Sequence, residues 1–156
     1  MEKYSKEQID GTRKHFRSLG LKEVDVSLGK YRFSYFVMPQ EWESKLTDYV
    51  YRCTGEPKDG YVFGISDHVK EEHRKYVVAH EYIEFNEIGI DTPNRCAKAL
   101  EEELKLVPDN IKPDYVKMRK DFFKNLISYC SDRPNYTKED LEEFKGSLSK
   151  LEELVK

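Results

Sequence analysis

The sequence predicts an α+β fold, mostly helical, with a small antiparallel sheet packed on one central helix. Three observations predict it. Two-residue alternation of apolar and polar side chains is confined to the early chain, around residues 24–37. A short β-prone run, Tyr61–Ser66, leads almost directly into a strongly helical stretch. Beyond that stretch apolar residues recur at helical spacing to the C-terminus.

The elements follow in order. Ser5 is placed to cap a first helix, and Gly20 to stop it after Leu19. Its expected inner residues are Ile9, His15, Phe16 and Leu19. Val24, Val26 and Leu28, then Tyr31, Phe33, Tyr35 and Val37, alternate with polar residues about Gly29-Lys30, which predicts a β-hairpin. Pro39 opens an expected helix carrying Trp42, Leu46, Tyr49, Val50 and Cys53, closed by Thr54-Gly55. Tyr61–Ser66 is a strand, with Gly64 allowing a close approach.

Ser66 or Asp67 is expected to cap the central helix, and Gly89 to end it. Thr92-Pro93 predicts the next helix start, and Pro108 ends that helix near Leu106. Tyr115, Met118, Phe122 and Leu126 mark another helix, with Lys117, Arg119, Lys120 and Lys124 mostly outside. Thr137 with Asp140 resembles a capping box for the last helix. Its Leu141, Phe144, Leu148, Leu151 and Val155 form a packing face or a candidate dimer seam.

Composition bounds the function. A chain of 156 residues without linkers or repeats fits a single domain, 1–156. A net charge of −3 argues against a nucleic-acid partner. No apolar run approaches a membrane span, and the N-terminus lacks a signal-peptide core. Cys53, Cys96 and Cys130 are odd in number and widely spaced, which suits reduced thiols and a cytoplasmic location.

The residues that carry chemistry lie in Glu71–Gly89. At about 100° per residue, His73, His80, Glu84 and Glu87 fall in one stripe bordered by Tyr76, Val77, Ile83 and Ile88. Glu72, Lys75, Ala79 and Asn86 are expected opposite, toward solvent. Ionisable groups inside an apolar stripe are costly unless paired or bound to metal. Glu103 repeats the anomaly within the stripe of Cys96, Leu100, Leu104 and Val107. The run from His80 to Glu84 has the form HExxE. Residues i and i+4 stand about 6 Å apart along a helix, so one ion can bridge His80 and Glu84. His73 lies two turns earlier, roughly 10 Å away along the axis, and suits a substrate or an outer carboxylate instead.

This motif resembles that of the zincin metallopeptidases, whose signature is HExxH on a helix. The resemblance covers about residues 61–106: a strand, a motif helix, then a second helix with an inward glutamate, as in the gluzincin branch. Carried over by position, it implies His80, Glu84 and Glu103 as metal ligands and Glu81 as the general base. His73 and Glu87 would be outer-sphere or substrate residues. It implies zinc or another divalent metal, a peptide or protein substrate, and hydrolysis by metal-activated water. Glu84 stands where the family has its second histidine, which adds negative charge and lowers the ion's Lewis acidity. The alternative is a non-catalytic protein-interaction module on the same fold, without metal, in which His80 and Glu84 are a structural pair.

Overall fold

The computed structural model describes residues 3–39, 50–89 and 91–155. The fold is α+β: five α-helices and a four-stranded sheet among the described residues. Helix α1 (Lys6–Ser18) starts as expected. Ser5 Oγ accepts from the Gln8 backbone N–H at 3.2 Å, and the Gln8 side chain accepts from Ser5 N–H at 2.9 Å. Its end is a Schellman arrangement: Gly20 N–H bonds the Arg17 carbonyl and Leu21 N–H that of Phe16, with Gly20 at φ +76°. Only Ile9 and Phe16 of the expected inner residues are buried; His15 and Leu19 are exposed.

Strands β1 (Glu23–Leu28) and β2 (Tyr31–Met38) form the expected hairpin, with Val26 opposite Phe33. Strand β3 (Val50–Thr54) replaces the end of the helix expected from Pro39. Val50, Tyr51 and Thr54 favour strands, and pairing with β4 (Tyr61–Ser66) overrides the apparent helical spacing. Trp42, Leu46 and Tyr49 of that expected helix lie outside the described residues. The sheet order is β1-β2-β4-β3. It is mixed rather than antiparallel, because β4 inserts beside β2 in the parallel sense, with Phe36 opposite Gly64. Alternation reveals which face a residue takes but not the direction of the neighbouring strand.

Both sheet faces are covered. Phe36, Met38, Cys53 and Val62 pack with Ile9 and Phe16 of α1. Phe33, Tyr35, Phe63 and Ile65 turn to the larger core, shared with helices α2 (Glu71–Tyr82), α3 (Arg95–Leu106), α4 (Lys112–Ser131) and α5 (Lys138–Leu154). Helix α2 follows the central strand β4 after a four-residue turn. Ser66 Oγ accepts from His68 N–H within that turn; Lys70 occupies the helix N-cap without a side-chain bond. Neither Ser66 nor Asp67 caps the helix as expected. Tyr82 anchors the far end: Phe33 stacks on it at 5.3 Å, and Tyr31 and Tyr61 meet it edge-on at 5.9 and 5.5 Å. Ala79, expected on the solvent side, is fully buried, because α3 and the sheet cover α2 on more than one face.

Thr92 and Pro93 lie in a turn, so α3 starts later than Thr92-Pro93 predicts. Thr92 Oγ1 donates to the Ile88 carbonyl, and Asn94 takes the left-handed conformation at φ +57°. Val107 is extended before Pro108, as a residue preceding proline favours. Thr137 and Asp140 form a reciprocal capping box at the start of α5, which packs on α3 and α4. Among the described residues no helix is long and apolar enough to cross a membrane.

Gly55 lies against the backbone of the N-terminal segment. A Cβ there would overlap the Tyr4 carbonyl and come within 3.1 Å of Ile9 Cδ1. Tyr4 N–H meanwhile bonds the Thr54 carbonyl at 3.0 Å, tying the N-terminal segment to β3. Gly55→Ala should lower stability by about 1–3 kcal/mol, the usual cost of overpacking. Urea unfolding checks this, and an unchanged midpoint would show that the N-terminal segment is not held where it lies.

Candidate functional site

The site is assembled by α2, α3 and α4. His80 sits near the end of α2, only 2% exposed. The helix then widens into a π turn over Ile83–Ile88, and Gly89 N–H bonds the Glu84 carbonyl five residues back. Such turns concentrate at functional sites. Glu84, the second motif residue, lies in this turn and is buried.

Each His80 ring nitrogen has its own surroundings. Nδ1 is 2.8 Å from Glu103 Oε1. Nε2 is 3.1 Å from Glu84 Oε2 and 3.6 Å from Cys96 Sγ. Glu103 has no solvent exposure and accepts from three sides: His80, the Tyr115 hydroxyl and Arg119. Arg119 Nη2 donates to Oε1 at 3.2 Å, while its Nε stands 3.0 Å from Oε2 but too oblique to hydrogen-bond. Glu84 in turn accepts from Arg95 Nε at 2.6 Å. Three helices thus share one buried polar network.

The structure brings His80, Glu84 and Glu103 together, as their places in apolar stripes predict. It does not place them around one point. Glu103 holds the nitrogen of His80 that faces away from Glu84, and its oxygens are already engaged. The third group near Nε2 is Cys96 instead: His80, Glu84 and Cys96 offer ligand atoms within 4.8 Å of one another. Glu81 is nearly buried, with Oε2 3.2 Å from Arg52 Nη1. Glu87 departs from expectation and is exposed, because the π turn breaks the register that would have carried it inward. His73 is buried but lies two turns away from His80, near Asp114.

Arg119, expected outside, is buried at the site. It lies in the same stripe as Tyr115 and Phe123, four residues from each, so the rule that singled out Glu103 applies to it as well. Arg95 and Arg52 carry no such signal, since one flanks a helix start and the other lies in a stretch expected to be helical.

The charge balance follows from the contacts. Burial opposes ionisation of Glu103, but Arg119, with His80 and Tyr115, holds its carboxyl below the usual range. Burial also opposes charge on Glu84, yet His80 and Arg95 bring it down to about 2. His80 is disfavoured as a cation by burial, but Cys96, Glu103 and Glu84 raise it well above an ordinary histidine. Burial pushes the Tyr115 hydroxyl well up, and the adjacent Glu103 carboxylate adds to this, so the phenol donates.

His80, Glu81, Glu84 and Cys96 line one cleft of about 260 Å³. Arg52, Arg95 and Arg119 line it too, and Phe122, Phe123, Leu126 and Phe144 form its apolar wall. A nitrogen, a carboxylate oxygen and a sulfur are the donor types that zinc accepts. The Glu103–His80 bond is the outer carboxylate contact that usually orients a ligating imidazole. The residues therefore fit a divalent ion on the Nε2 side. Compared with known proteins, the chain gives no match to a protein family, a curated protein or a solved structure.

The signs of the shifts define a pH window for metal-free protein. Glu84 and Glu103 have lowered folded values, so their stabilisation is present above 4.5 and is lost as pH falls through the folded values. His80 is raised, so its stabilisation is complete below 6.5 and is lost as pH rises through its folded value. Urea stability in chelator should therefore gain most from the network between about pH 4.5 and 6.5. His80→Gln should remove the alkaline decline. A wild-type profile parallel to that of His80→Gln above pH 6.5 would contradict the assignment.

Proposed function

We propose that this chain is a metal-dependent hydrolase acting on peptide bonds. The ion's protein ligands would be His80 Nε2, Glu84 and Cys96, with Glu81 as the proton acceptor. One observation carries the reading: Glu103 occupies His80 Nδ1, leaving Nε2 directed at Glu84 and Cys96 on the cleft. The resemblance to the zincin motif adds to it, with the third ligand reassigned from Glu103 to Cys96.

A bound divalent ion would supply Lewis acidity and acidify water beside it. The chain's own residues supply the rest. Glu103 fixes the imidazole ring and its Nδ1 proton. Arg95 holds one oxygen of Glu84, leaving Oε2 turned to Nε2. Arg52 orients the Glu81 carboxylate on the same cleft, where it can take a proton from water and pass it to a leaving amine. The phenyl wall of Phe122, Phe123 and Phe144 suits an apolar side chain of the peptide.

A second reading has its own observation. Cys96 Sγ, His80 Nε2 and the Nδ1–Glu103 bond stand in the order nucleophile, base and orienting carboxylate. Cys96 also lies in the first turn of α3. In that reading the thiol attacks and no metal is needed. Glu84, closer to Nε2 than the sulfur is, favours the metal reading.

Bound zinc per chain and hydrolysis of a peptide library, measured on protein without a histidine tag, test both. The metal reading predicts one zinc ion at this centre, lost in Cys96→Ser and His80→Ala. Glu81→Gln should keep the zinc and lose roughly 10²–10⁴-fold in rate, the usual worth of a general base. Chelator should abolish activity and metal restore it. Activity that survives chelator but not thiol alkylation would transfer the site to the second reading. Loss of zinc binding at this centre in every variant and in wild type would end the first.

A further inference from the structure

His73 is a buried ionisable group that the His80 network does not use. It is 2% exposed, and among the described residues neither ring nitrogen has a hydrogen-bond partner. A buried imidazole normally satisfies at least one nitrogen, so an orphaned ring calls for an explanation. Its Nε2 points at two exposed carboxylates. Asp114 Oδ2 lies 3.3 Å away and Glu72 Oε1 3.9 Å away. Neither contact has hydrogen-bond geometry.

The separations match another interaction. Ligand atoms about 2.0 Å from a tetrahedral zinc stand roughly 3.3 Å from one another. Nε2 and Asp114 Oδ2 are already at that spacing, and the three ligand atoms lie within 4.8 Å of one another. A cation already bridges the two carboxylates: Lys70 Nζ is 2.9 Å from Asp114 Oδ2 and 3.4 Å from Glu72 Oε1. That ammonium is on an exposed, flexible side chain and makes no use of the imidazole. A metal ion could use all three groups, with water completing its shell.

We propose that His73 Nε2, Glu72 and Asp114 form a second divalent-metal site, of the zinc class, from which the Lys70 ammonium is displaced when the ion binds. The donor set, one imidazole and two carboxylates, is accepted by zinc and lacks the thiol of the His80 centre. The site joins the first turn of α2 to the first turn of α4. Its place in the fold gives it a role. Tyr115 follows Asp114 directly, its ring meets His73 edge-on at 5.3 Å, and its hydroxyl donates to Glu103. An ion here would hold the end of α4 that presents Tyr115 to the His80 network. The site is distinct from the His80 centre and does not rest on the hydrolase reading.

Cobalt(II) and zinc are the probes, with ions per chain measured by equilibrium dialysis. The thiolate charge-transfer absorption of cobalt reports the His80–Cys96 centre alone. Wild type should bind two ions per chain and show that absorption. His73→Asn and Asp114→Asn should each lose one ion and keep the absorption; Asp114 is exposed, so its replacement leaves folding intact. Lys70→Ala should tighten the second site several-fold, because a competing cation is gone. Failure of the hydrolase reading alone would look different: one ion in wild type, none in Asp114→Asn, and no charge-transfer absorption throughout. Equal stoichiometry in wild type and Asp114→Asn, or an unchanged affinity in Lys70→Ala, would overturn the proposal.

Discussion

Glu103 carries a carboxylate into a place with no solvent at all, and the helices around it are arranged to answer that charge. An ion taken out of water costs several kcal/mol unless its lone pairs are met. Here α2 contributes His80, and α4 contributes Tyr115 and Arg119. Removing Arg119 would take from the Glu103 carboxylate the guanidinium paired with it, a loss of roughly 3–5 kcal/mol in comparable buried pairs, whereas Tyr115 is a neutral donor. The network also ties the helices together: its contacts join α2, α3 and α4 through His80, Glu103, Tyr115 and Arg119. An apolar core of similar volume would leave helix rotation less constrained.

The same constraint prepares the cleft. With Nδ1 engaged, His80 can present only Nε2, and the π turn sets Glu84 beside it. The aromatic cluster around Tyr82 fixes the helix just before that turn, so the sheet bears on the site although it contributes few polar groups. Arginines answer the carboxylates in turn: Arg52 with Glu81, Arg95 with Glu84, Arg119 with Glu103. The cleft thus combines charge with near balance, a condition in which a bound cation or a polarised substrate need not be met by bulk water.

Much of this was legible in the sequence where a rule of periodicity met a residue of the wrong polarity. His80, Glu84 and Glu103 stood out as ionisable groups in apolar stripes, and all three are buried in one network. The hairpin, the capped first and last helices and the strand before the motif helix were equally readable, because capping, turn and alternation signals are local. What was not legible depends on long-range pairing. Residues 50–54 follow helical spacing in part, yet a strand partner decides their conformation. The parallel placement of β4 beside β2 leaves no mark in either strand's pattern. Glu87 was drawn inward by a uniform α-helical wheel, which the π turn invalidates. Cys96 belongs to the apolar stripe of α3, and only the crossing of α2 and α3 brings it to His80.

The central claim is that Glu103 holds the proton of His80 Nδ1 and so directs Nε2 to the cleft. Nitrogen-15 NMR of the imidazole tests it most directly, because the two ring nitrogens give separate signals in each protonation state. The account predicts that Nδ1 of His80 keeps its proton throughout a pH titration of the folded protein and on addition of zinc. Only Nε2 should change. A neutral ring with its proton on Nε2, or a zinc-induced change at Nδ1, would contradict it.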